Sequence, residues 1–72
     1  MQVSIRVKGH LNAALWQDWF EGLQITQELE GTSLLTGPLP DQPALFGVLD
    51  KLHRLNLRLT SLAVEEEAEE DA

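Results

Sequence analysis

Between Gln2 and Lys8 the chain reads QVSIRVK, with Val3, Ile5 and Val7 alternating with Ser4, Arg6 and Lys8. A period of two puts the apolar set on one face, so this stretch predicts a half-buried strand. The segment GHLN breaks the period. Asn12 is a suitable N-cap, because its side-chain oxygen can accept from the free amides of a following turn. Gly22 suits the left-handed residue that closes a helix, which predicts a short helix over 13–21. Alternation resumes in LQITQELE, 23–30, with Leu23, Ile25 and Leu29 facing inward, and TSLLTG returns as its hairpin partner after Gly31. Beyond GPLPDQP the period changes. Leu45, Val48, Leu49, Leu52 and Leu55 fall on one helical stripe, with Asp41 as cap, Pro43 in the first turn and Asn56 as the left-handed terminator. A last strand is predicted over 57–64.

The order strand, short helix, strand, strand, long helix, strand predicts an α+β fold. Two right-handed crossovers joined by a hairpin give the ferredoxin-like split β-α-β sandwich, a four-stranded antiparallel sheet with both helices on one face. In that topology the fourth strand lies beside the first, the first beside the third and the third beside the second. One sheet face is then left bare. It carries Arg58 and Thr60, then Arg6 and Lys8, then the polar side of the third strand, then Glu28 and Glu30, so a basic flank faces an acidic one.

Trp16, Trp19 and Phe20 are three of the four aromatic residues in the chain. On a helix they stand at i, i+3 and i+4 and share a side. A nine-residue helix needs large side chains to stay docked, which places Phe20 and Trp19 in the core and leaves Trp16 partly exposed as an interface or pocket edge. Phe46 lies off the apolar stripe of the long helix, on the side of Asp50, His53 and Arg54. It and His53 are accordingly candidates for an interface or a pocket rim.

Composition narrows the functions. Seventy-two residues predict one domain, residues 1–64, with a thin stability margin that a partner subunit would widen. No cysteine is present, which removes disulfides, thiolate metal sites and Cys nucleophiles. The formal charge is −7, but half of the twelve acidic side chains crowd into EEEAEED near the C-terminus. Residues 65–72 are therefore expected to be a disordered acidic tail that aids solubility. No basic cluster interleaved with aromatics supports nucleic-acid binding, and no apolar run approaches the ~20 residues of a membrane span. A cytoplasmic chain is expected, since the N-terminus alternates instead of showing a secretory pattern.

His10 and His53 have no H-x-x-x-H spacing and read as surface histidines, and none of the common phosphate, nucleophile-elbow or zinc motifs occurs. The sequence implies no cofactor. Arg6, Lys8 and Arg58 could hold a small anion, pair with Glu28 and Glu30 of a second copy, or be covered by the acidic tail.

The segments GHL, W..WFEGLQIT and TGPLPDQPALFGVLDKL resemble a family of small bacterial and archaeal proteins encoded as stand-alone chains, with a G-P-L-P-D-Q-x-A-L segment and no assigned activity. The resemblance covers roughly residues 3–64 and implies a fold without supplying chemistry. The expected function is a small non-catalytic binding module. It would act as a homodimer or on another protein, through the bare face of Arg6, Lys8, Arg58, Glu28 and Glu30 together with the Trp16 edge. The alternative is a small-molecule-binding regulatory domain or a dimeric enzyme with a pocket near Trp16 and His10, where Asp18 would complete an acid and base pair.

Overall fold

A computed structural model describes residues 1–20 and 22–65. Strand β1 spans Gln2–Lys8, helix α1 Ala13–Trp16, strand β2 Gln24–Gln27, strand β3 Thr32–Pro38, helix α2 Gln42–Arg54 and strand β4 Arg58–Glu65. The strands form one antiparallel sheet in the order β2-β3-β1-β4. The fold is thus α+β, with a four-stranded antiparallel sheet and two helices. Of the acidic tail expected over 65–72, Glu65 is the last residue of β4, and residues 66–72 lie outside the described residues.

Burial follows the alternation. Val3, Ile5 and Val7 of β1, Ile25 of β2 and Leu35 of β3 pack with Leu45, Val48 and Leu52 of α2, and Leu11, Phe20, Leu23 and Leu39 complete the core from the connections. Asp41 caps α2 through its side chain, which accepts from the Ala44 amide, and Asn56 takes the left-handed conformation at φ 62°.

Three expectations need correction. The helix predicted over 13–21 is a single turn: Asn12 caps it by accepting from the Ala14 amide, and residues 17–20 continue as turns. One helical turn carries little stability of its own, so this segment is held by the large side chains that follow it. The aromatic cluster changes with it. Phe20 is buried, whereas Trp16 and Trp19 are both half-buried, with ring centroids 5.0 Å apart. Strand β2 also stops at Gln27, and a 3₁₀ turn at Leu29–Gly31, with Glu30 at φ 69°, connects it to β3. Leu29, expected inward, leaves the pleat there and is 88% exposed.

The third correction concerns β4. Its register against β1 shifts between Arg6 and Val7: Leu59 lies opposite Val7, whereas Ser61 lies opposite Arg6. Thr60 is the extra residue of a bulge, and its hydroxyl donates to the Arg6 carbonyl at 3.1 Å. It therefore does not hold the bare-face position expected for it, which passes to Ser61. The sequence carried a signal for this. Leucines at 59 and 62 are three apart, out of phase for a strand, and one extra residue restores the phase.

A polar knot ties the loop after β1 to the sheet. Ser33 is fully buried, and its hydroxyl accepts from the Leu11 amide at 3.0 Å and donates to the Gly9 carbonyl at 2.8 Å, while the Gln27 amide donates to the Leu11 carbonyl. Replacing Ser33 by Ala strands the buried Leu11 N–H and the half-buried Gly9 carbonyl, so a loss of about 2 kcal/mol is expected in urea unfolding. A loss below about 0.5 kcal/mol would show that water replaces the hydroxyl.

Candidate interaction surface

Opposed residues of an antiparallel pair share a face of the sheet. Val64, Leu62 and Leu59 lie opposite Val3, Ile5 and Val7, so all three belong to the helix-bearing face. Their β1 partners are buried, yet Leu59 is 47% exposed and Leu62 and Val64 are each 40% exposed. Every residue of β4 is exposed. The strand is the outermost of the sheet beside β1, and α2 leaves its apolar row only partly covered. Between α2 and β4 runs a groove of about 420 Å³ lined by Leu49, His53, Leu57 and Leu59 among others.

The bare face does not assemble as its sequence suggested. Arg6 is already engaged within the chain: its Nε donates to both carboxylate oxygens of Glu28, at 3.0 and 3.2 Å, reaching across β3. That hydrogen bond holds the Glu28 carboxyl below its ordinary range, against the opposing effect of desolvation, and the Thr32 hydroxyl and the Arg6 charge lower it further. A lowered folded pKa contributes stability that is present above the ordinary carboxylate range and is lost as pH falls through the lower folded value. The melting temperatures of wild type and Glu28→Gln should therefore differ at neutral pH and converge in acid. A difference that does not vary with pH would show that the pair contributes nothing through ionisation.

Of the other expected site residues, Lys8 and Arg58 are cross-strand partners and both exposed, which sets two cations side by side. Glu30 sits on the 3₁₀ turn, exposed and away from them in the strand order. Phe46 is 61% exposed on α2, and His53 is exposed beside the groove. These residues do not form one cluster. Trp16 packs partly on the core.

A second groove, of about 530 Å³, lies between the turn after α1 and the first half of α2, with Asp18, Trp19, Phe20, Leu39 and Lys51 among its lining residues. The Lys51 ammonium donates to the Trp19 carbonyl at 2.8 Å and stands 5.6 Å from the Trp19 ring centre. Trp16 and His10 are not among its lining residues, and His10 is exposed. Among the described residues no group of three His, Asp or Glu side chains could hold a metal, and no helix is long and apolar enough to cross a membrane.

The features that sequence reading missed are the apolar row of Leu59, Leu62 and Val64 and the exposed length of β4. These features define a small open-faced α+β domain whose outermost strand is largely uncovered among the described residues. By sequence the chain belongs to the family described as a domain of unknown function (DUF8691), whose model matches residues 2–63. No curated protein and no solved structure matches it.

Proposed function

We propose that this chain is a small non-catalytic interaction module that docks along the β4 side of its sheet. The observation that carries the reading is the wholly exposed eight-residue strand β4 with Leu59, Leu62 and Val64 at 40–47% exposure. A long edge left unpaired among the described residues presents a row of backbone donors and acceptors for another chain, and proteins that do not use such an edge blunt it with charged residues, Pro, bulges or a short strand. The opposite edge, β2, is only four residues long, whereas β4 is eight residues long, contains no Pro, and has its one bulge at Thr60 and its charges at its two ends, Arg58 and Glu65.

The module reading also takes the finer fold assignment, the ferredoxin-like split β-α-β sandwich. It is supported by the crossovers β1-α1-β2 and β3-α2-β4 around a sheet with β3 and β1 in the middle. The working surface moves from the centre of the bare face, where Arg6 and Glu28 satisfy one another, to its β4 border.

Native mass spectra of the protein purified gently from its producing cells test the reading, with wild type compared with Leu59→Lys/Val64→Lys. The wild type is expected to travel with a second polypeptide and the double variant alone. A wild type that carries only small-molecule mass would overturn the module reading in favour of a ligand site at the Trp19 groove. An assembly indifferent to the two lysines would overturn the β4 surface.

A further inference from the structure

Resting on that reading, we infer that the partner at β4 is a second copy of the chain, paired antiparallel about a two-fold axis at Leu62. The inference follows from the pattern of side chains along the strand and from two charges at its ends.

A two-fold axis normal to the sheet sets β4 against itself in reverse and keeps each face continuous, so every residue must meet one on its own face. Leu59, Leu62 and Val64 belong to the helix-bearing face, and Arg58, Ser61, Ala63 and Glu65 lie opposite the bare-face residues Lys8, Arg6, Ser4 and Gln2. Centring the axis on Leu62 places Leu62 against its own copy and Ser61 against Ala63 of the second copy. Passing over the bulged Thr60 of each chain then sets Leu59 against Val64 of the second copy, and Arg58 against Glu65. Every match is face to face. The apolar rows of the two chains merge into one continuous strip on the helix-bearing side, where each of these side chains gains an apolar neighbour across the seam.

Charge fixes the same register. Arg58 and Lys8 are like charges directly across from one another, an arrangement that destabilises a strand pair unless an acid neutralises it. At the other end Glu65 lies opposite the uncharged Gln2. Among the described residues the ion pairs are Arg6 with Glu28 and Arg54 with Asp50, so Lys8, Arg58 and Glu65 have none. Residues seven apart on a strand are roughly 23 Å apart, so Arg58 and Glu65 of one chain cannot meet. In the symmetric pair the carboxylate of Glu65 reaches Arg58 and Lys8 of the other copy, twice over, because a two-fold axis repeats every contact. The result is an eight-stranded sheet whose remaining edges are the two short β2 strands.

Charge reversal tests the register on the full chain by sedimentation equilibrium. Wild type is expected to form a reversible dimer. Arg58→Glu alone and Glu65→Arg alone should each weaken it at least about tenfold, since each turns two attractive contacts into repulsive ones. The double variant Arg58→Glu/Glu65→Arg should recover most of the affinity, with circular dichroism confirming that all four proteins are folded. Recovery can come only from contacts between chains. A wild type that stays monomeric to about 1 mM, the regime of negligible affinity, overturns the inference, and so does a double variant no tighter than the single ones. Either result leaves the module reading standing if the native assembly contains another polypeptide and is lost in Leu59→Lys/Val64→Lys. If that assembly is insensitive to the two lysines, the reading falls as well.

Discussion

Replacing Gly37 by Ala is expected to cost at least about 3 kcal/mol and to lower the urea midpoint sharply. Gly37 lies in β3 at φ 152°, and the backbone of Gly22 and Leu23 crosses directly over it on the way into β2. A Cβ there would overlap the Gly22 carbonyl oxygen and stand 3.2 Å from the Leu23 Cα and 3.1 Å from its Cδ2. Two penalties act together. The positive φ is strained for any residue with a side chain, and two of the obstructing groups are backbone, which cannot rotate away. A domain of this size has about 4–11 kcal/mol in total, so one such substitution removes a large part of it. Gly47 supplies the control. It lies within α2, where an added Cβ would meet nothing inside 4 Å, so Gly47→Ala should stabilise by about 0.5–1 kcal/mol through helix propensity. Urea unfolding of both variants checks the contrast, and a Gly37→Ala protein within about 1 kcal/mol of wild type would show that the crossing strand can shift.

Phe20→Ala should cost about 3–5 kcal/mol, the usual range for deleting a buried aromatic ring. Phe20 is 1% exposed and packs in the core with Leu23 and Leu35, with Trp19 tilted against it at a centroid distance of 5.5 Å. Its importance comes from the weakness of the segment around it. Helix α1 has one turn and no buried residue of its own, so the chain from Asn12 to Leu23 is fastened to the core by this ring together with Leu23 and the half-buried Trp16 and Trp19. The same substitution at Phe46, which is 61% exposed, should change stability by less than about 0.5 kcal/mol. Near-equal losses at the two positions would mean that the aromatic cluster does not anchor the first crossover. Trp16 and Trp19 fluorescence reports the anchoring independently, since both indoles should become more solvated in Phe20→Ala while the sheet persists.

How far the chain could be read depended on whether a feature was local. Strand β1, the stripe of α2, the Asn12 and Asp41 caps and the left-handed Asn56 all follow from periods and capping chemistry that act within a few residues, and each appears in the fold. The sheet and its two helices follow from the same local order. The exposure of Phe46 was legible because its place off the helical stripe is itself a matter of spacing.

Tertiary structure decided the rest. The length of α1 could not be read because Gly22 and the aromatic spacing are compatible with both a full helix and one turn followed by bends, and packing on Phe20 selected the latter. Leu29 fits the alternation of a strand, yet the chain leaves the sheet before reaching it, because the hairpin closes through Glu30 in the left-handed region. Arg6 and Glu28 were visible as opposite charges on one face, but only the strand order brings them within 3.0 Å in a single chain. The uncovered row on β4 depends on where α2 ends its coverage of the sheet, a matter of layer placement that no local period records. Alternation along a strand determines which side chains share a face, while burial of that face is set by whatever packs across it from distant sequence.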